Sequence, residues 1–189
     1  MFAVRLHGRG GQGIVTTAEL LAVAVFDEGA HAQAFPTFGS ERTGAPVAAY
    51  CRIDDVPIRT HEPITVPDAL IVADPSLFAQ VDVLAGLRAD GFLVINATGA
   101  PAAVAGLAGS PARVCLVPAT AIAVRHVGRA VPGTALLGAF AAITGRVGLP
   151  ALVRAIEERF PADVARTNAA AAREAYETVR ATWTETTHA

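Results

Sequence analysis

The sequence predicts an α/β fold: a single-domain sheet with helices on its faces and an antiparallel hairpin within it. Two observations carry this. Short apolar runs, several rich in β-branched residues, recur at residues 2–6, 47–53, 69–73, 92–95 and 113–117. Segments with helical periodicity stand between them and take over the chain after Pro118. Such alternation favours a sheet built partly by crossover connections, with some antiparallel pairing.

In chain order, FAVRL at 2–6 is the first strand, and GRGGQG at 8–13 separates it from a helix over 14–28. Residues 47–53 form a strand, Asp54 and Asp55 supply a turn, and residues 56–58 return as the second arm of the hairpin. Three further strands follow at 69–73, 92–95 and 113–117, with a helix over 76–87 between the first two. PAAVAGLAGSPA at 101–112 reads as a connection or an irregular helix. Helices then cover 119–127, 134–144, 149–159 and 162–181. Without a repeated block or a low-complexity tail, one domain is expected to span 1–189.

A chain of 189 residues, 52% hydrophobic and 17% charged, has apolar material for one core and little for a second. A formal net charge of -2 provides no broad positive field for nucleic acid or an acidic membrane. Two cysteines, Cys51 and Cys115, without a CxxC pair, leave any iron-sulfur cluster to a partner. The apolar stretches are broken before membrane-span length, and the glycine loop begins too early for a secretory signal to precede it, so the expected location is the cytoplasm. The mean hydropathy of +0.43 reflects abundant alanine and suits subunit contacts as well as an internal core.

GRGGQG, comprising Gly8, Arg9, Gly10, Gly11, Gln12 and Gly13, is the first chemical candidate. Closely spaced backbone N–H groups at a helix start receive phosphate or carboxylate oxygens, and Arg9 adds a cation. The alternative is a tight loop that packs the helix on the sheet. Its glycines are out of phase with GxGxxG and no Walker lysine follows, which weakens a nicotinamide or P-loop reading. His7 either supports this loop or serves as a donor or base, and Gln12 either contacts a ligand or braces the backbone.

FGSERTG at 38–44 is the second candidate, with Ser40, Glu41, Arg42, Thr43 and Gly44 as its site residues. Arg42 presents a planar donor fork to an anion, and Glu41 neutralises it or bonds backbone donors. A shaped binding loop, a purely structural loop and a catalytic acid/base pair are the three readings. Elsewhere the residues read as structural: Asp74 caps the next helix, Asn96 and Thr98 bond a turn, and both cysteines sit in apolar strands. The remaining histidines, His31, His61, His126 and His188, have no metal-binding spacing. Neither a catalytic side chain nor a metal ligand is expected.

The order of motifs is more specific than either loop. GRGGQG, FPTFGSERTGAPV with AYCRIDDVPI, LIVADPSL, GFLVINATG, GTALLGAFAAITG and RFPADVARTNAAAAREAY span almost the whole chain. In that order they resemble the gamma subunit, or the corresponding fused domain, of the pyruvate and related 2-oxoacid:ferredoxin oxidoreductases. Thr43 departs from the arginine often found after ERR-like loops, and Gly133 stands where asparagine commonly begins the GALL-like segment.

The resemblance implies a supporting role in converting a 2-oxoacid and coenzyme A to acyl-CoA and CO2. Alpha and beta subunits hold thiamine diphosphate, an iron-sulfur subunit carries the electrons, and ferredoxin or a flavoprotein accepts them. This chain completes the assembly and shapes coenzyme A access through residues 8–13 and 40–44. A pyruvate or branched-chain enzyme leads, and an aromatic relative such as a phenylglyoxylate dehydrogenase using NAD stays open. The competing readings are a stand-alone nucleotide-dependent oxidoreductase and a noncatalytic assembly protein.

Overall fold

The computed structural model describes residues 1–37, 43–105 and 112–186. Six strands form one mixed sheet: β1 (Phe2–Arg9), β2 (His31–Pro36), β3 (Pro46–Asp54), β4 (Ala69–Val72), β5 (Phe92–Asn96) and β6 (Arg113–Val117). Their spatial order is β2-β3-β1-β4-β5-β6. β1, β4, β5 and β6 run parallel, whereas β3 lies antiparallel to both β1 and β2. The helices are α1 (Ile14–Asp27), the single turn α2 (Ala102–Ala105), α3 (Ala119–Val127), α4 (Gly133–Thr144), α5 (Leu149–Arg159) and α6 (Ala162–Thr186).

The two sheet faces are covered differently. Alternate strand residues Phe2, Val4 and Leu6 of β1, with Cys51 and Ile53 of β3, point into the main core beneath α1 and α3 to α6. Helix α4 is buried almost all round, with Phe140, Leu136 and Leu137 fully enclosed. A helix of that kind belongs in the middle of a core. The other face has no long helix over it and is closed mostly by irregular chain: Leu77, Val83 and Val104 of the short turn α2 cover β4 and β5, and Ile64 covers Ala3 and Tyr50.

Two buried arginines hold that second cover in place. Arg5 donates from Nη1 to Ile64 O at 3.3 Å, and from Nη2 to Val83 O at 3.0 Å and Ala85 O at 2.5 Å. Arg52 lies 5.0 Å above the Phe35 ring and donates to the carbonyls of Thr60 and Glu62. Both side chains are nearly inaccessible, and carbonyl dipoles supply the acceptors their charge requires.

These arginines explain two corrections. The expected helix over 76–87 is a 3-10 turn, Pro75–Ala79, followed by irregular chain. Val83 and Ala85 give their carbonyls to Arg5 rather than to a helical ladder. Residues 56–58 are not the second arm of the hairpin; Arg52 draws the carbonyls of the following residues onto the sheet instead. The hairpin pairs β2 with β3. β2 escaped sequence reading because HAQAFP has no β-branched residue, yet Ala32 and Ala34 pack on the main core while Phe35 meets Tyr50 at 5.1 Å. β1 also runs farther than expected, taking in His7, Gly8 and Arg9.

Candidate functional site

β1 is where the sheet changes from antiparallel to parallel pairing. At its Arg9 end β3 begins and β4 finishes, so three connections distant in sequence meet at one corner. The Gly10 N–H donates to Ala45 O at 2.9 Å, and the Gly44 N–H donates to Gly10 O at 3.0 Å. Thr43 forms an isolated bridge with Gly10. The two candidate loops are therefore joined through Gly10, Thr43 and Gly44. Ser40, Glu41 and Arg42 lie outside the described residues.

Arg9 ties this junction to the third connection. Its Nε donates to Asp74 Oδ2 at 2.7 Å, Nη1 to Gly44 O at 2.9 Å and Gln80 Oε1 at 3.3 Å, and Nη2 to Ser76 Oγ at 2.6 Å. Asp74 caps the 3-10 turn as expected, accepting from the Ser76 N–H at 2.9 Å. Although partial burial opposes it, the bonds from Ser76 and Arg9 hold the Asp74 carboxyl below the usual carboxylate range. The guanidinium thus organises the corner through four hydrogen bonds.

Beyond Gly10 the chain turns into α1. Gly11 at φ 93° and Gly13 at φ 73° occupy the left-handed region that side chains resist. Gln12 braces this turn: its N–H donates to Arg9 O at 3.0 Å, and its Oε1 accepts from the Arg9 N–H at 2.8 Å. Gly8 is fixed by packing, since a Cβ there would run into the Ile14 side chain. Gly13 is the N-cap of α1, no side chain caps it, and the first turn carries no acidic residue. Among the described residues no acceptor takes its first N–H groups, and the positive end of the helix dipole favours an anion there.

That helix start lines an open cleft of about 220 Å³. Gly11, Gly13 and Thr16 line it together with Arg129, Val131 and Thr134. Phe160, Val164 and Asn168 complete the lining. Arg129 is exposed and its guanidinium has no carboxylate partner among the described residues. Thr134 Oγ1 donates to Asn168 Oδ1 at 3.0 Å, joining α4 to α6 beneath the cleft. Chemically this combines free amide donors and a cation with an apolar side. Arg129, Thr134 and Asn168 were missed in the sequence because nothing in their spacing links them to a loop more than a hundred residues earlier.

His7 lies just before the corner and is buried. Arg5 Nε donates to His7 Nε2 at 3.0 Å, so the neutral ring carries its proton on Nδ1. Burial first, and the Arg5 charge second, push His7 down to about 4 from 6.5. The unfolded chain binds this proton more readily, so the contribution is present above about pH 6.5 and is lost as pH falls toward 4. Urea unfolding is expected to show a loss of roughly 2–3 kcal/mol from this group across that window. His7→Gln should flatten the pH slope by about one proton; an unchanged slope would contradict this assignment.

Cys51 and Cys115 are buried in β3 and β6, with three strands between them, and burial pushes both thiols up to about 12. Asn96 bonds Ala73 O, Thr120 Oγ1 and the Thr120 N–H, at 2.8, 2.7 and 3.0 Å, which accounts for its side chain at the start of α3. His126 and Arg125 share Glu174 of α6.

Comparison with known proteins shows the family. A family model described as pyruvate ferredoxin/flavodoxin oxidoreductase matches residues 3–178. The chain belongs to that family. It is 46% identical to pyruvate synthase subunit PorC of Methanothermobacter thermautotrophicus, over 95% of this chain and 96% of that one. It is 47% identical to the pyruvate/ketoisovalerate oxidoreductases common subunit gamma of Pyrococcus furiosus, over 94% and 96% of the two chains. The crystal structure of pyruvate oxidoreductase subunit PORC from Thermotoga maritima superposes with a TM-score of 0.81 at 38% identity, covering 93% of this chain and 95% of that one. As a member of this family the chain is a gamma-type subunit of a 2-oxoacid oxidoreductase complex. The fold expected from the motif order is the family fold, and a stand-alone nucleotide-dependent oxidoreductase is not favoured. Among the described residues, no helix is long and apolar enough to cross a membrane.

Proposed function

We propose that this gamma-type subunit shapes coenzyme A access in the complex, while companion subunits hold thiamine diphosphate and the iron-sulfur clusters and carry out the carbon-bond chemistry. The observation that carries this reading is the uncapped start of α1 opening into a cleft that also presents Arg129. Phosphate oxygens suit the amide donors and the guanidinium, and the apolar wall at Val131, Phe160 and Val164 suits the less polar part of the same ligand. Arg42 is a second proposed polar contact, with Glu41 organising its loop, because Thr43 and Gly44 fasten the end of that loop to Gly10. Two buried cysteines on separated strands fit no shared cluster, in keeping with electron carriers on companion chains.

Coenzyme A titrations of assembled wild-type, Arg129→Gln and Arg42→Ala complexes test the reading. Removing either cation should raise KM for coenzyme A by roughly tenfold, as for loss of one charged hydrogen bond, with the KM of the 2-oxoacid unchanged. The isolated chain should release no CO2 from a 2-oxoacid. Unchanged coenzyme A kinetics in both fully assembled variants would remove the cleft and the loop from ligand binding, and robust turnover by the isolated chain would defeat the division of labour.

A further inference from the structure

A second concave site lies at the opposite end of the sheet, where β1, β5 and β6 begin. β1 alone is 8 residues long, which separates the two ends by roughly 25 Å at ~3.3 Å per residue. The cavity is about 200 Å³, and its lining includes Phe2, Phe92, Arg113 and Arg146. The two rings meet at a centroid separation of 6.4 Å. Arg146 Cζ stands 4.5 Å from the Phe2 centroid and Arg113 Cζ stands 4.7 Å from that of Phe92. Each guanidinium is therefore placed against an aromatic face, with part of its side-chain entropy already lost.

The charge at this site is not balanced. Arg88, in the same lining, has Asp68 at 3.4 Å and Asp90 at 3.5 Å. Asp68 is further engaged, accepting the Ala3 N–H at 2.7 Å. Arg113 and Arg146 have no carboxylate within 4.0 Å among the described residues, although both are exposed and share one cavity. Both guanidinium groups line one cavity, each held against a ring, with donors that no carboxylate of the described residues takes up. The chain is a subunit of a complex, so a surface with fixed, unneutralised forks is complementary to an acidic side chain on a neighbour.

We propose that Arg113 and Arg146 form an anion-binding site that receives a carboxylate side chain from a companion subunit. This site is separate from the cleft at α1 and does not depend on what that cleft binds.

The test uses the assembled complex, held through a tag on this chain and washed with rising NaCl. The salt concentration at which half of the companion subunits are lost is read for wild type, for Arg113→Gln with Arg146→Gln, and for Arg113→Lys with Arg146→Lys. The glutamine pair is expected to lower that concentration at least twofold. The lysine pair keeps the charge without the planar fork and should lower it by less. Retention equal to wild type in a folded glutamine pair overturns the proposal. If the glutamine pair does not fold, the lysine pair decides: a lowered concentration supports docking, and an unchanged one overturns it. Calorimetric titration of the full chain with inorganic phosphate separates the remaining source. Phosphate binding that disappears in the glutamine pair while subunit retention stays unchanged assigns the site to a free anion and overturns subunit docking.

Discussion

Replacing Arg5 by methionine is expected to cost roughly 3–5 kcal/mol of unfolding free energy, the range for breaking a buried charged network. The substitution leaves the carbonyls of Ile64, Val83 and Ala85 without their donor, and His7 Nε2 loses its partner. Methionine fills much of the volume, so the effect isolates lost hydrogen bonding from cavity formation. Hydrogen exchange should show residues 62–87 losing protection before the helical side of the sheet does. A cost under about 1 kcal/mol would mean that this cover is held mainly by the apolar contacts of Leu77 and Val83.

Gly138→Ala is the second large effect. Helix α4 crosses α6 so closely that a Cβ at Gly138 would lie 2.9 Å from the Ala172 carbonyl carbon and inside contact distance of its oxygen. The obstacle is backbone within a helix, which cannot rotate away. Alanine gains about 1 kcal/mol in helix propensity. Against that, forcing the helices apart disturbs a core containing Phe140 and Leu136, and a net loss of roughly 1–3 kcal/mol is expected. Gly138→Leu should prevent soluble expression. Thermal melts of the alanine variant decide the matter, since a neutral or raised Tm would show that the α4–α6 contact yields without cost. Thr134 and Asn168 lie on these same two helices, so if the cleft receives coenzyme A as proposed, the variant should also weaken coenzyme A use.

The parts of this fold legible in the sequence are those whose signal is local. β1, β3, β4, β5 and β6 are short apolar runs, and α1 and α3 to α6 have helical spacing, so their existence follows from pattern alone. The fate of 76–87 and 56–58 was not local, because it depends on Arg5 and Arg52 collecting carbonyls from segments up to eighty residues away. Charge in a strand usually reads as a solvent-facing position, whereas both arginines are buried beneath irregular chain. β2 is a sheet edge with no β-branched residue, and its conformation is imposed by β3 and α1.

The candidate site divides in the same way. GRGGQG was visible as a loop before a helix, with the special angles found at Gly11 and Gly13. Its relation to Thr43 and Gly44 became apparent only through the register of β1 with β3. Arg9 illustrates the limit well: its sequence neighbourhood suggests a cation offered to a ligand, while its surroundings supply acceptors from Gly44, Asp74, Ser76 and Gln80.

The Arg9 junction also constrains how the sequence can drift. Arg9 ends β1 and Asp74 lies on the connection after β4, yet their 2.7 Å contact makes each the other's principal charge partner. A chain that lost the arginine would retain a partly buried carboxylate facing the glycine loop, and one that lost the aspartate would leave a cation searching for a new acceptor beside Gly44. Neither change is neutral alone, whereas a joint replacement by two uncharged groups of similar size relieves both penalties. Substitutions at these two positions should consequently be inherited as a pair.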